Sequence, residues 1–224
     1  MKNAAAMQDN VQTLLDRARI YSFLSALFSD PSTGRFRQVK NADLQATLLD
    51  ACSRLASRYD GKQAGQAADR LMDALESANL SQVQEEFIRI FGHTLSKEIA
   101  PYEMEYLKNQ EVFAITQGLA DISGFYAAFG LHVDAAERVD HIAIQAEFLA
   151  CLILKEAIAI ENHLGEEQVD VCRKAQQDFL REHFLWWAAR FASGLSEHVS
   201  ASFYRCAGNF LLEFLKTEHH DTAG

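Results

Sequence analysis

Apolar residues recur along this chain at three- and four-residue spacing, which places side chains on one face of an α-helix, and no stretch shows the alternation of a half-buried strand. Val11, Leu14, Leu15, Ala18, Tyr21, Leu24 and Phe28 share one side of a first helix. Pro31 ends it, because the residue before a proline avoids helical geometry, so Phe28-Ser29-Asp30-Pro31 is a helix exit. Further helices are predicted at about Ala42–Tyr59, Ala64–Ser77 and Ser81–Phe91, the last opening with Ser81 and Gln84 at capping-box spacing. Gly61 and Gly65 punctuate the gaps between them. Gly92 to Ala100 is a polar loop, after which Pro101 is expected to open a new helix with Glu103 and Glu105 in its first turn, where the helix dipole favours negative charge. The second half is expected to form helices at about Asn109–Phe129, Asp140–Asn162, Gln168–Ser193 and Ser196–Lys216, with Gly130, Gly165 and Gly194 near their ends. The pattern predicts an all-α chain with one domain over 1–217 and a flexible tail over 218–224.

Composition narrows the class. At 224 residues, with 49% hydrophobic and 23% charged side chains, the chain can bury a substantial core as one domain, which excludes wholesale disorder and fibrous architecture. Its net charge of -10, with the basic residues scattered, argues against nucleic-acid binding and favours a basic peptide as partner. Cys52, Cys151, Cys172 and Cys206 lie far apart with no C-x-x-C pair, so reduced thiols are expected rather than a disulfide framework or zinc knuckle. Near the N-terminus Asp9 interrupts the chain before an export-signal apolar region can develop. The apolar run Phe148 to Leu154 is far shorter than the roughly 20 residues needed to span a bilayer. A cytoplasmic protein without a membrane span is expected.

The signatures of phosphate loops, dinucleotide folds, zinc proteases and nucleophile elbows are all absent, so no catalytic residue and no cofactor is predicted. Asp140-His141, Glu182-His183 and Glu161 with His163 pair acids with histidines, but neighbours on a helix point about 100° apart and cannot chelate from one face. No metal site is expected. Asp140 stands where a helix should begin and would serve as its cap, with His141 in the first turn. Glu147 lies beside the apolar Phe148–Leu154 run and needs a partner, either an internal arginine or a ligand cation. Trp186 and Trp187, with Phe179, Phe184 and Phe191, have the spacing of core packing.

Taken in order, several segments resemble the TorD/DmsD family of cytoplasmic chaperones that mature molybdenum oxidoreductases and that also include NarJ. They are Tyr21-Ser22-Phe23-Leu24 with Pro31, Phe87 to Phe91, Pro101-Tyr102-Glu103-Met104-Glu105-Tyr106, Gly124 to Leu131, Glu137 to Leu149, and Phe179, His183, Trp187 and Phe191 at four-residue steps. The resemblance implies an all-α, single-domain TorD-like bundle of about ten helices. It also implies a protein that binds the twin-arginine leader and apo form of a molybdopterin oxidoreductase, assists cofactor insertion and delays export. By position, the family's leader cleft falls on Asp140 and His141 with Pro101, Tyr102 and Tyr106. The chain departs from the family at Gln145, Ala146 and Met104, which bears on the shape and charge of that cleft. The segments Phe91 to Glu98 and Leu119 to Ser123 are similar to chaperones of the type II dimethyl-sulfoxide-reductase group.

A leader of this kind presents two guanidinium groups and then an apolar stretch. Guanidinium forks suit carboxylates, and the apolar stretch needs a groove. Asp140 and Glu147 are therefore expected to meet the arginines, with Tyr102, Tyr106, Phe125 and Tyr126 lining the groove and the Pro101-Tyr102 segment facing Asp140-His141 across it. The partners are then the apo-molybdoenzyme catalytic subunit and its leader, for a chaperone that is a monomer or a homodimer. The same amphipathic helices would serve a helical scaffold or assembly subunit, and a nucleotide hydrolase is a further alternative without a phosphate loop to support it.

Overall fold

The computed structural model describes residues 2–59, 62–92, 99–108, 111–134, 137–198 and 203–222. Within them lie ten α-helices: α1 (Lys2–Leu27), α2 (Gly34–Arg37), α3 (Ala42–Tyr59), α4 (Lys62–Ser77), α5 (Leu80–Phe91), α6 (Val112–Ala128), α7 (Ile142–Glu161), α8 (Glu166–Phe179), α9 (Leu185–His198) and α10 (Phe203–Thr222). Short 3₁₀ turns cover Gln38–Lys40 and Glu103–Tyr106. Among the described residues there is no strand, only a single isolated bridge between Tyr102 and His141. The all-α prediction therefore holds.

Helix α7 is apolar on nearly every side and forms the middle of the bundle, packed against α1 on one flank and α8 on another. Helix α10 packs on α9 and α4, and α3 bridges α1 to α4. Gly208 permits close approach of α9 and α10, since a Cβ there would lie 2.6 Å from Leu195 Cβ. Tyr21, Phe28, Phe179, Phe184, Trp187, Phe191, Tyr204 and Phe210 are fully buried between these layers, mostly in edge-to-face contacts. The aromatic spacing near Trp187 thus marks core, as predicted.

Several boundaries differ from the sequence expectation for identifiable reasons. Asn79 rather than Ser81 caps α5, its side chain accepting from the Ser81 amide at 3.0 Å. Pro101 does not open a helix. Instead, Pro101 and Tyr102 run extended along His141, and only a 3₁₀ turn follows. Helices α8 and α9 join through a π turn at Leu180–Phe184 that adds a residue to the turn and carries His183 inward. Gly194 lies inside α9 rather than at a helix end. Of the tail expected from residue 218, residues 218–222 continue α10 and 223–224 lie outside the described residues; Glu218 is buried, accepting from Arg17 Nε and Nη2 at 2.8 and 2.7 Å and from Tyr21. A carboxylate paired this deeply ties the last helix to the first. Most of the loop Gly92 to Ala100 lies outside the described residues, as does Gly61.

Candidate functional site

The N-terminal end of α7 organises the region. Asp140 is completely buried, and its carboxylate takes a two-pronged contact from Arg138, Nε at 2.9 Å and Nη2 at 2.8 Å, plus the Met104 amide at 3.1 Å. That capture removes Asp140 from the capping role. The cap is His141, whose Nδ1 accepts from the Ala143 amide at 3.1 Å. Burial lowers the His141 pKa to about 4, with Asp140 opposing and Arg138 reinforcing the shift. The ring is therefore a neutral acceptor at physiological pH, as the cap requires.

Backbone pairing fixes the neighbouring segment. The Glu103 amide donates to the Asp140 carbonyl at 3.0 Å and the Ile142 amide donates to the Pro101 carbonyl at 2.9 Å. Pro101-Tyr102 and Asp140-His141 thus lie side by side in one wall, not on opposite sides of a groove as expected. Tyr102 and His141 rings meet edge to face at 5.2 Å, and the Arg138 guanidinium sits 4.1 Å from the centre of the Tyr102 ring.

Beside this wall opens a cleft of about 890 Å³. Its lining includes Pro101, Tyr102, Tyr126, His141 and Glu147 from the sequence-predicted set. Phe87, Ile88 and Phe91 of α5, Leu131 and Val133 after α6, and Ile144, Phe148 and Cys151 of α7 add apolar surface. Gly130, at φ 72°, makes the turn that brings Leu131 to Asp134 back over the cleft. Asp30, Asp134, Glu137 and Glu147 place four exposed carboxylates on its border.

Three predicted residues fall elsewhere. Asp140 lies behind the wall, fully buried and engaged by Arg138, so the expectation that it meets a client arginine directly is corrected. Tyr106 packs on Trp187 at 5.5 Å and its hydroxyl donates to the Ala100 carbonyl at 2.9 Å. Phe125 packs between Phe179 and His183 at 5.4 and 5.3 Å. Both rings are consumed by the core. Tyr126 is shared, its hydroxyl held by the Val139 carbonyl at 2.8 Å while part of the ring faces the cleft.

The partner required by Glu147 is Arg35, which clasps it with two contacts of 2.7 Å at the cleft edge. Sequence reasoning did not anticipate Arg35, Asp30, Asp134, Glu137 or Ile88 in the lining. The helix exit at Pro31 was the signal near Asp30, Ile88 and Glu137 lie in segments that carry the family resemblance without having been read as lining, and Arg35 and Asp134 carry no local signature.

A second polar cluster lies beneath the wall. Glu103, expected as an ordinary helix-start residue, is buried and held by Gln145, by Trp186 Nε1 at 3.3 Å and by His183 Nδ1 at 3.3 Å. His183 Nε2 faces Asp121 Oδ2 at 3.2 Å. Burial works against the charged ring, yet Glu103 and Asp121 more than offset it and the His183 pKa is raised. Burial likewise raises Glu103, opposed by His183, Gln145 and Trp186. Asp121, Glu182 and His183 have donor atoms within 4.8 Å of one another, but Glu182 is already bound by Arg181 at 2.6 Å. Three donors with one committed to an arginine fall short of the four ligands of a structural metal site. Through these polar contacts the cluster joins α6, the Glu103–Tyr106 turn and the π turn.

Among the described residues, no helix is long and apolar enough to cross a membrane. Comparison with known proteins supplies the remaining context. The family model described as nitrate reductase delta subunit matches residues 57–193. The chain is 27% identical over 213 residues to the chaperone protein TorD of Vibrio cholerae serotype O1 (strain M66-2), covering 91% of this chain and 90% of that protein. It is also 27% identical over 226 residues to the TorD chaperone of Vibrio atlanticus, covering 97% and 100%. Among solved structures, a redox enzyme maturation protein from Archaeoglobus fulgidus is similar at a TM-score of 0.49 and 19% identity, covering 89% and 93%. With the family model spanning more than half of the sequence, the chain belongs to the nitrate reductase delta subunit family, that of the TorD and NarJ chaperones of molybdoenzyme maturation.

Proposed function

We propose that this chaperone binds the twin-arginine leader of an apo-molybdoenzyme catalytic subunit in the cleft beside α7, holds the apoprotein in the cytoplasm while cofactor is inserted, and so delays export. The observation that carries the reading is the pairing of an apolar cleft lining with a border of Asp30, Asp134, Glu137 and Glu147. A leader supplies the complement of both: guanidinium forks for the carboxylates and an apolar stretch for Phe87, Ile88, Phe91 and Leu131. The net charge of -10 favours encounter with a cationic segment and makes association salt-sensitive.

Residue roles follow from exposure. Glu147 is the exposed α7 carboxylate that lines the cleft and would exchange Arg35 for a client arginine, with little net cost because both sides of the exchange are guanidinium pairs. Tyr102 and His141 shape the wall, and Asp140 positions both from behind through Arg138 and the Met104 amide. The test is calorimetric titration of a synthetic twin-arginine leader peptide into the protein. Wild type should bind, and Glu147→Gln should weaken binding about tenfold, the loss of one charge-assisted fork. Absence of binding by wild type at low salt would sink the leader reading.

A further inference from the structure

The π turn at Leu180–Phe184 widens the helix where α8 meets α9, and single π turns of this kind recur at ligand sites. It carries His183 to 5% exposure, between Glu103 and Asp121. Glu103 Oε1 lies 3.3 Å from Nδ1, and a carboxylate there accepts, so it draws the ring proton to Nδ1. Nε2 is left facing Asp121 Oδ2 at 3.2 Å in a direction that makes no hydrogen bond, and it finds no hydrogen-bond partner among the described residues. A buried imidazole nitrogen and a carboxylate oxygen thus face each other across a gap that a positive charge would fill.

Spacing, support and charge all fit a metal ion there. Two donors bound at about 2.0–2.1 Å to one tetrahedral ion stand about 3.3 Å apart, close to the 3.2 Å between Nε2 and Oδ2. Glu182 brings a third oxygen within 4.8 Å of both. Neighbours on a regular helix diverge by about 100°, which is why Glu182-His183 alone promised no chelation; the π turn and the arrival of Asp121 from α6 gather the three donors. The far ring nitrogen rests on Glu103, itself fixed by Gln145 and Trp186, and a carboxylate in that position is the usual support of a metal-bound histidine. Glu103, Asp121 and Glu182 bring three carboxylates to the ring, while Arg181 divides its charge between Glu182 and Asp178, and Lys174 reaches Asp178 at 3.4 Å.

We propose that Asp121, Glu182 and His183 bind a divalent first-row transition ion such as zinc, in an open site completed by water. A closed structural site takes four protein ligands, whereas three with water make an open one. The Arg181–Glu182 pair is 64% and 46% exposed, so it opens at little cost and frees the carboxylate. One imidazole and two carboxylates suit zinc, while calcium and magnesium take shells of oxygen. The bound ion would tie α6 to the π turn, and α6 leads through Gly130 to the segment over the cleft.

The experiment titrates zinc alone, calorimetrically, into the metal-free full chain and into Asp121→Asn and Glu182→Gln, both at exposed positions that leave the core intact. Wild type should bind an equivalent of zinc that each variant binds at least tenfold more weakly. No stoichiometric zinc binding by wild type would overturn the proposal. So would full affinity in either variant, which would assign the zinc elsewhere, such as the adjacent His219 and His220. X-ray absorption at the zinc edge gives the remaining outcome: nitrogen and oxygen neighbours are expected, and sulfur in the shell would hand the ion to the cysteines and overturn the assignment.

Discussion

The cleft region contains two arginine–carboxylate forks of nearly the same geometry. Arg138 grips Asp140 at 2.9 and 2.8 Å, and Arg35 grips Glu147 at 2.7 Å on both prongs. Their surroundings are opposite. The Asp140 carboxylate is 0% exposed and also receives the Met104 amide, whereas the Glu147 carboxylate is 51% exposed and is held by Arg35, 112 residues away in sequence. A buried carboxylate cannot give up its partners without leaving desolvated groups unpaired, while an exposed pair can open to water at little cost. The first fork is thus part of the frame and the second is part of the exposed cleft edge, although both are acids beside an apolar segment in the sequence.

The largest expected effect comes from attacking the buried fork. Asp140→Ala should destabilise the fold by about 3 kcal/mol, since it strands the Met104 amide and the Arg138 guanidinium together. Urea unfolding measures this directly, and a loss no greater than that of Glu147→Ala would erase the distinction between the two forks.

Next in size is an acid-sensitive contribution from the residue beside Asp140. The His141 pKa is depressed to about 4 in the fold, so its neutral ring stabilises the native state fully above the ordinary value of 6.5. That contribution is lost as the pH falls from 6.5 through 4, when the unfolded chain takes up a proton that the folded ring resists. The loss amounts to about 3 kcal/mol at most, at about 1.4 kcal/mol per pH unit. Replacing His141 with Asn keeps a capping acceptor without a titrating ring, so the variant's stability should fall less than wild type's between pH 7 and pH 4.5. Parallel declines in the two proteins would remove His141 as the source.

The smallest effect is expected at the exposed fork. A double-mutant cycle of Arg35→Gln and Glu147→Gln should return a coupling below about 1 kcal/mol in stability, shrinking further as salt is raised. A coupling as large as the loss at Asp140 would show that Arg35 is a fixed structural brace, and the exchange with a client guanidinium would have to be abandoned.

Legibility in the sequence followed the range of the forces involved. Helix existence, the stop at Pro31 and the buried aromatic steps Phe179, His183, Trp187 and Phe191 depend on local periodicity and on proline sterics, and they appear where expected. The cap of α7 moved from Asp140 to its neighbour because Arg138 and the Met104 amide bind the aspartate more strongly than the helix end does. Tyr106 and Phe125, read as groove residues, were drawn into the core by Trp187 and Phe179, whose proximity no spacing rule contains.

Glu103 shows the same limit from the other side. Its local context is that of a first-turn acid, yet Gln145, His183 and Trp186 converge on it from positions 42 to 83 residues away and make it a buried anchor. The sequence by itself determined that this protein is a helical domain with an acid surplus and a segment order matching the maturation chaperones, because periodicity, charge and motif order are written residue by residue. Only the tertiary structure decided which carboxylates stay exposed at the cleft and which lock the frame, because burial and partner choice arise when distant helices pack and exclude water around one acid while leaving the other in it.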